Sequence, residues 1–173
     1  MDDLSTPLRT MKRIIILLLV LMPIVASAQG LIIDHEAKNV TWSEIRESDV
    51  TFDDALEYIL AYHILDNVVT HNNMIAGDLV PVYLDYESAG YGRMKVPLYL
   101  SGGRFVCRII LRFKEGRYMA EATDLRFFDT TGAMEGWTYL YEGYGAFAFD
   151  VAVNLVLRHL TQITTFDIPS NDW

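Results

Sequence analysis

Two long alternating segments joined by only two residues constrain this chain more than any other feature. Arg104 to Phe113 and Tyr118 to Phe127 are rich in Val, Ile, Leu, Tyr and Phe, with Glu115-Gly116 at the loop between them. A two-residue loop carrying glycine closes an antiparallel hairpin, because glycine supplies the positive φ that tight hairpin turns need. The loop then sets the register, with Phe113 opposite Tyr118, Leu111 opposite Ala120 and Ile109 opposite Ala122. Side chains alternate along a strand, so Phe105, Cys107, Ile109, Leu111, Phe113, Tyr118, Ala120 and Ala122 share one apolar face. The two alanines leave room for a helix to press close. The opposite face mixes Arg108, Arg112, Glu121 and Thr123 with apolar residues, a pattern suited to partial contact with water.

Helical signals flank this hairpin. Thr51 can cap a helix with Asp54 three residues on, and Phe52, Leu56, Ile59 and His63 recur at helical spacing, which predicts an amphipathic helix of about 13 residues. The second helix is expected from Phe147 to Ile163, where Phe149, Ala152, Val153, Val156, Leu160 and Ile163 form an apolar stripe. Strand composition also marks Leu79 to Tyr86 and Met94 to Leu100, with Pro81 and Pro97 pushing those strands toward edges, bulges or strand starts. The expected architecture is α+β in two layers, an antiparallel curved sheet of about four or five strands with two helices packed on one face.

The N-terminal segment reads as an address. Lys12 and Arg13 precede a short apolar run from Ile14 to Val25, and Ala26-Ser27-Ala28 has the small-x-small form that a signal peptidase cuts. The run is about twelve residues, whereas a membrane span needs roughly 20. Residues 1–28 are therefore expected to be a cleaved leader with translation starting at Met11. Residues 29–49 then form a lead-in segment and 50–173 a single domain, located in the periplasm or secreted. With only Cys107 in the chain, no intramolecular disulfide is available, and the domain must be held by its core. Cys107 is expected to be a small buried hydrophobe rather than a reactive thiol.

The formal net charge of the full sequence is −9, and the leader carries a net positive charge, so the mature chain is more acidic still. Such a surface repels phosphate backbones, and nucleic acid is excluded as a partner. No arrangement of known catalytic or ligating spacing is present among His35, His63, His71 and His159. His63 belongs to the apolar stripe of the first helix, and His159 suits the end of a helix dipole. Asp34-His35-Glu36 is acidic but lies in the lead-in, where a tether is expected. Asp53/Asp54 and Asp85/Glu87 are carboxylate pairs of the kind that does acid/base work, but such pairs arise by chance in so acidic a chain, and Asp53/Asp54 is better explained by capping. Gly90, Gly92, Gly102, Gly103, Gly143 and Gly145 belong to turns by context. No catalytic residue, metal ligand, cofactor or membrane span after cleavage is expected.

The one surface with the look of a binding site is aromatic. Trp137, Tyr139 and Tyr141 alternate along an extended segment, with Tyr144 shortly after; aromatics displayed this way anchor partner proteins or stack on sugars, and more often cover the core at the lead-in to a buried helix.

The order of these features, with the hairpin Lys114-Glu115-Gly116-Arg117-Tyr118 followed by Thr123-Asp124, resembles a family of exported proteins from Bacteroides-group bacteria. That family is described as a domain of unknown function with a TBP-like fold. The resemblance covers Val50 to Asp129 and implies helices against one face of a curved antiparallel sheet, with no catalytic residues to carry over. Together these readings point to an exported envelope protein, a non-enzymatic binding or interaction module for an envelope protein or small ligand. The alternative is an enzyme or small-ligand carrier whose site is assembled from residues distant in sequence. N-terminal sequencing of the exported protein is expected to begin at Gln29; a start at Met1 or Met11 overturns the leader assignment.

Overall fold

Across the hairpin, Phe113 faces Tyr118, Leu111 faces Ala120 and Ile109 faces Ala122, as the two-residue loop requires. Gly116 takes φ +68°, the left-handed value that the turn demands. The protein is represented by a computed structural model that describes residues 30–34, 39–129, 137–139 and 146–166. The expected leader, residues 1–28, lies outside the described residues. In chain order the elements are β1 (Gly30–Asp34), β2 (Asn39–Glu47), α1 (Phe52–Ala61), β3 (Leu65–His71) and β4 (Met74–Leu79). A 3-10 turn (Arg93–Lys95), α2 (Leu98–Ser101), β5 (Gly103–Lys114), β6 (Arg117–Asp129), β7 (Trp137–Tyr139) and α3 (Ala146–Ile163) follow.

One sheet holds all the strands in the order β1-β2-β6-β5-β4-β3, with β7 pairing β6 beside that path, and every pairing is antiparallel. The expectation of about four or five strands is thus corrected to six on the main path with β7 beside them. The residues assigned to a tether are the reason for much of the difference. Val40 and Trp42 are buried to 1% and 0% exposure, because β2 pairs with β6 and turns both onto the apolar face opposite Ala122 and its neighbours. Two further expectations fail around prolines. Of Leu79 to Tyr86, only Leu79 belongs to a strand, and Val82 makes one isolated bridge to Phe105. Met94 to Leu100 contains the 3-10 turn and the start of α2 instead of a strand. Pro97, at φ −55°, stands at the entry to α2, where its fixed φ suits a first helical turn and its missing N–H costs nothing.

Local chemistry explains both main helices. Asp54 N–H donates to Thr51 Oγ1 at 3.2 Å, while Thr51 N–H donates to Asp54 Oδ2 at 3.0 Å. This reciprocal cap contributes about 1 kcal/mol and starts α1 at Phe52. The helix ends at Ala61, and His63 adopts φ 49°, so the chain turns away before the expected stripe reaches His63. Phe52 packs edge-on against Phe113 at 6.0 Å, and Tyr58 against Phe166 at 5.7 Å. On α3, Val151, Ala152, Leu155, Val156 and Leu160 are buried in the same core as Cys107, Ile109, Leu111, Ala120 and Ala122.

The C-terminus of α3 is held by the sheet. Arg46 donates to Thr161 O at 3.0 Å, to the Thr165 hydroxyl and to Glu44 Oε2 at 2.8 Å. Tyr118 Oη donates to Thr164 O at 2.6 Å. A guanidinium and a phenol from β2 and β6 thereby satisfy carbonyls that a helix end leaves unpaired, with positive charge at the negative end of the dipole.

Gly103 and Gly116 need glycine for different reasons. A Cβ on Gly103 would stand 2.1 Å from Tyr99 O, a backbone atom, whereas one on Gly116 meets open space and only the φ is unfavourable. Gly103→Ala is expected to cost about 2 kcal/mol or more through a forced backbone shift, and Gly116→Ala about 1 kcal/mol through strain alone. Chemical denaturation of both variants checks this ordering.

Candidate functional site

The aromatic segment enters the structure in part. Trp137 and Tyr139 lie on β7, opposite Phe128 and Arg126 of β6 respectively. Tyr141 and Tyr144 lie outside the described residues, as does His35.

The remaining chemically capable residues are dispersed. Among the described residues, no group of three His, Cys, Asp or Glu side chains is placed to hold a metal ion. His63 is exposed, with Nε2 3.4 Å from Asp66 Oδ1, which corrects its assignment to the apolar stripe. His71, also exposed, contacts Asn72 Nδ2 at 2.8 Å. Cys107 is buried, and its thiol pKa is pushed up by desolvation and by the Asp124 and Asp78 carboxylates, so the nucleophilic thiolate is suppressed. Hydrogen bonds from Ser88, first from its hydroxyl and then from its N–H at 3.0 Å, hold the Asp85 carboxyl below its ordinary range.

The helix-free face of the sheet offers a more organised surface. Strand register places Ile45, Met119, Arg112 and Met74 in one row across β2, β6, β5 and β4. The next row is Ser43, Glu121, Ile110 and Ala76. Alternation turns these side chains away from the buried Trp42, Leu111, Ala120 and Ala122. Ile32, Ile45 and Val69 are exposed on this face at 64%, 38% and 56%. At the hairpin end lies an open hollow of about 240 Å³ lined by Ile45, Arg112, Lys114, Arg117, Tyr118 and Met119.

Charge is distributed unevenly over this face. Away from the hairpin, Arg108 pairs with Asp78 at 3.2 Å and Arg126 with Asp124 at 2.8 Å, so in a second hollow, lined by these four residues and Asp66, each arginine is matched by a carboxylate. Nearer the tip, Arg112 is fixed by Glu121 at 2.6 Å. Lys114 and Arg117 face each other across the hairpin and make no ion pair among the described residues, although Glu47 is opposite Arg117 in the register. Sequence reasoning placed the hairpin tip correctly but missed Ile45 and the hollow, because the hollow exists only when β2 lies beside β6.

A separate polar notch of about 150 Å³ lies between α3 and the segment after β4, lined by Asp85, Ser88, Leu155, Arg158, His159 and Gln162. Arg158 donates to Ser88 O at 3.0 Å across it. His159 is edge-on to Phe105 at 6.2 Å, and its Nε2 is buried without a hydrogen-bond partner. Burial lowers the His159 pKa from the ordinary 6.5, since a protonated ring here would carry an unpartnered charge. A depressed histidine contributes stability that is complete above pH 6.5 and lost as pH falls through its folded pKa. The lowered carboxylates, Asp54 and Asp85, lose their contribution only at more acid pH, below the ordinary 3.8. Wild-type protein is therefore expected to lose stability between pH 7.5 and about 5, with His159→Phe losing less, as read by denaturant midpoints across that range.

No family model and no curated protein matches the chain. Among solved structures, the chain is similar to a TBP-like protein from Parabacteroides distasonis at 12% identity and a TM-score of 0.43, covering 76% of this chain and 96% of that one.

Proposed function

We infer that this chain is an exported binding module of the periplasm or cell surface that engages a partner through the helix-free face of its sheet. The observation that carries the reading is Ile45, 38% exposed beside Met119 at the edge of a hollow rimmed by three cations, on a face that no helix among the described residues covers. Apolar surface of this kind on a regular, strand-ordered face provides the buried centre of an interface, and the surrounding charges provide its rim. Export rests on the Lys12-Arg13 n-region, the short apolar run and the Ala-Ser-Ala ending. A nucleic acid partner is disfavoured by the net charge of −9 and by Glu121 and Asp78 on the same face.

A small-ligand carrier is the second reading. It is favoured by the notch at His159, where Asp85 and Ser88 meet Arg158 and Gln162 from a distant part of the sequence.

Site-specific photo-crosslinking in the native envelope separates the two readings. A photoreactive residue at Ile45 is expected to give a discrete adduct, while one at Asn154, exposed on α3, gives none. The reverse pattern, or no adduct from Ile45, overturns the sheet-face reading.

A further inference from the structure

We propose that the hollow at the hairpin end binds an extended acidic peptide segment of the partner, with one apolar side chain seated on Ile45 and Met119 and flanking carboxylates meeting Lys114 and Arg117. The proposal rests on the sheet-face reading and names the chemistry of its partner.

The charge is the first argument. Arg112, Lys114 and Arg117 line the hollow and no carboxylate does, in a chain whose net charge is −9. Lys114 and Arg117 are directly opposed across the strands, an arrangement of like charges that weakens a hairpin. Arg112 stands two residues from Lys114, on the same face. Glu47 stands opposite Arg117 on its other side and makes no ion pair with it, so an anion between Lys114 and Arg117 relieves the repulsion of the two cations. Arg112 is compensated by Glu121, so the charge left for a ligand at the hollow is that of Lys114 and Arg117.

Shape gives the second argument. The hollow holds about 240 Å³ and is open to solvent, whereas sites that enclose a small molecule have roughly 300–1,000 Å³ and bury most of it. It suits one side chain of a longer ligand that continues over the face. The row beyond it carries Ser43, Glu121, Ile110 and Ala76, side chains that leave room for a chain to pass and whose carboxylate repels a continuous run of phosphates. In an extended segment every second side chain points the same way, so an apolar residue with Asp or Glu two positions away on each side presents the required pattern.

Fluorescence anisotropy on the exported protein tests this with two rhodamine-labelled probes, Glu-Thr-Leu-Thr-Glu and Lys-Thr-Leu-Thr-Lys, both blocked at their ends. The acidic probe is expected to bind and the basic one not to. Raising salt from about 0.1 M to about 1 M, where the screening length falls from about 10 Å to about 3 Å, is expected to weaken binding of the acidic probe strongly. Lys114→Glu with Arg117→Glu is expected to weaken it at least about tenfold. Ile45→Ser is expected to weaken it as well. The salt series uses unaltered protein and so does not depend on how the variants fold. Failure of the acidic probe to bind, equal binding of both probes, or insensitivity to the charge reversal overturns the proposal, and indifference to Ile45→Ser reduces the site to an anion patch and overturns its peptide occupant. If the acidic probe fails while a crosslink from Ile45 persists, the face serves a partner of other chemistry and this proposal alone is lost.

Discussion

The register of the β5–β6 hairpin is the constraint on which the rest of the molecule depends. With Glu115-Gly116 as the turn, every second residue of both strands meets the same layer, and Phe105, Leu111, Ala120, Ala122 and Phe127 are sealed to 2% exposure or less. A slip of one residue would send this whole set to solvent and bring Arg108, Arg112 and Glu121 inward. The two alanines matter as much as the large residues. Their small side chains, together with Ala152 on α3, are all fully buried, so helix and sheet can meet at short range without a void. The pairing departs from regularity once, where Asp124 and Leu125 of β6 together stand opposite Cys107 of β5; Asp124 takes φ 56° in this bulge, and Leu125 and Phe127 beyond it stay buried.

One charged pair lies on the inner face without contradicting this economy of apolar burial. Glu44 and Arg46 are only 13% and 14% exposed, on the face that meets the helices. Alone, a pair so placed would be a doubtful source of stability, because desolvation offsets the attraction. Arg46 escapes that balance by meeting Thr161 O at the carbonyl end of α3, and Tyr118, whose burial keeps its phenol protonated, donates to Thr164 O just beyond the helix. The polar groups here close the bottom of the core, and the cations left over at the hairpin tip lie on the other face.

What the sequence made legible was whatever local periodicity and local turn chemistry determine together. The hairpin, the Thr51 capping box and the stripe of α3 each carry both kinds of signal, and each is found where it was expected. The β1–β2 hairpin was not legible: Leu31, Ile33, Val40 and Trp42 do alternate, but two short runs offer no local sign of β6, the strand on which β2 docks. The Asn72-Asn73 turn between β3 and β4 was missed although both residues take positive φ, at 44° and 59°, as asparagine tolerates in a two-residue hairpin loop. Around Pro81 and Pro97, strand-like composition competed with proline geometry, and the geometry prevailed. The candidate surface was unreadable for the same reason as β2. Ile45 approaches Met119 only through long-range pairing, while of the aromatic segment Trp137 and Tyr139 alone reach a described strand, opposite Phe128 and Arg126.

That long-range pairing bears on how the chain acquires its structure as it is made. β1 and β2 are synthesised first, yet the strand that β2 needs is nearly the last to appear, and the carbonyls that Arg46 caps come later still. Trp42 and Val40 therefore have no native surface to bury against until most of the polypeptide has emerged. Sheet closure must be a late event with a high loop-closure cost, and a molecule with such non-local contacts folds slowly compared with one whose neighbours in sequence are neighbours in space. During that interval β1 and β2 lack their partner strand, and their apolar residues and free edges are open to mispairing.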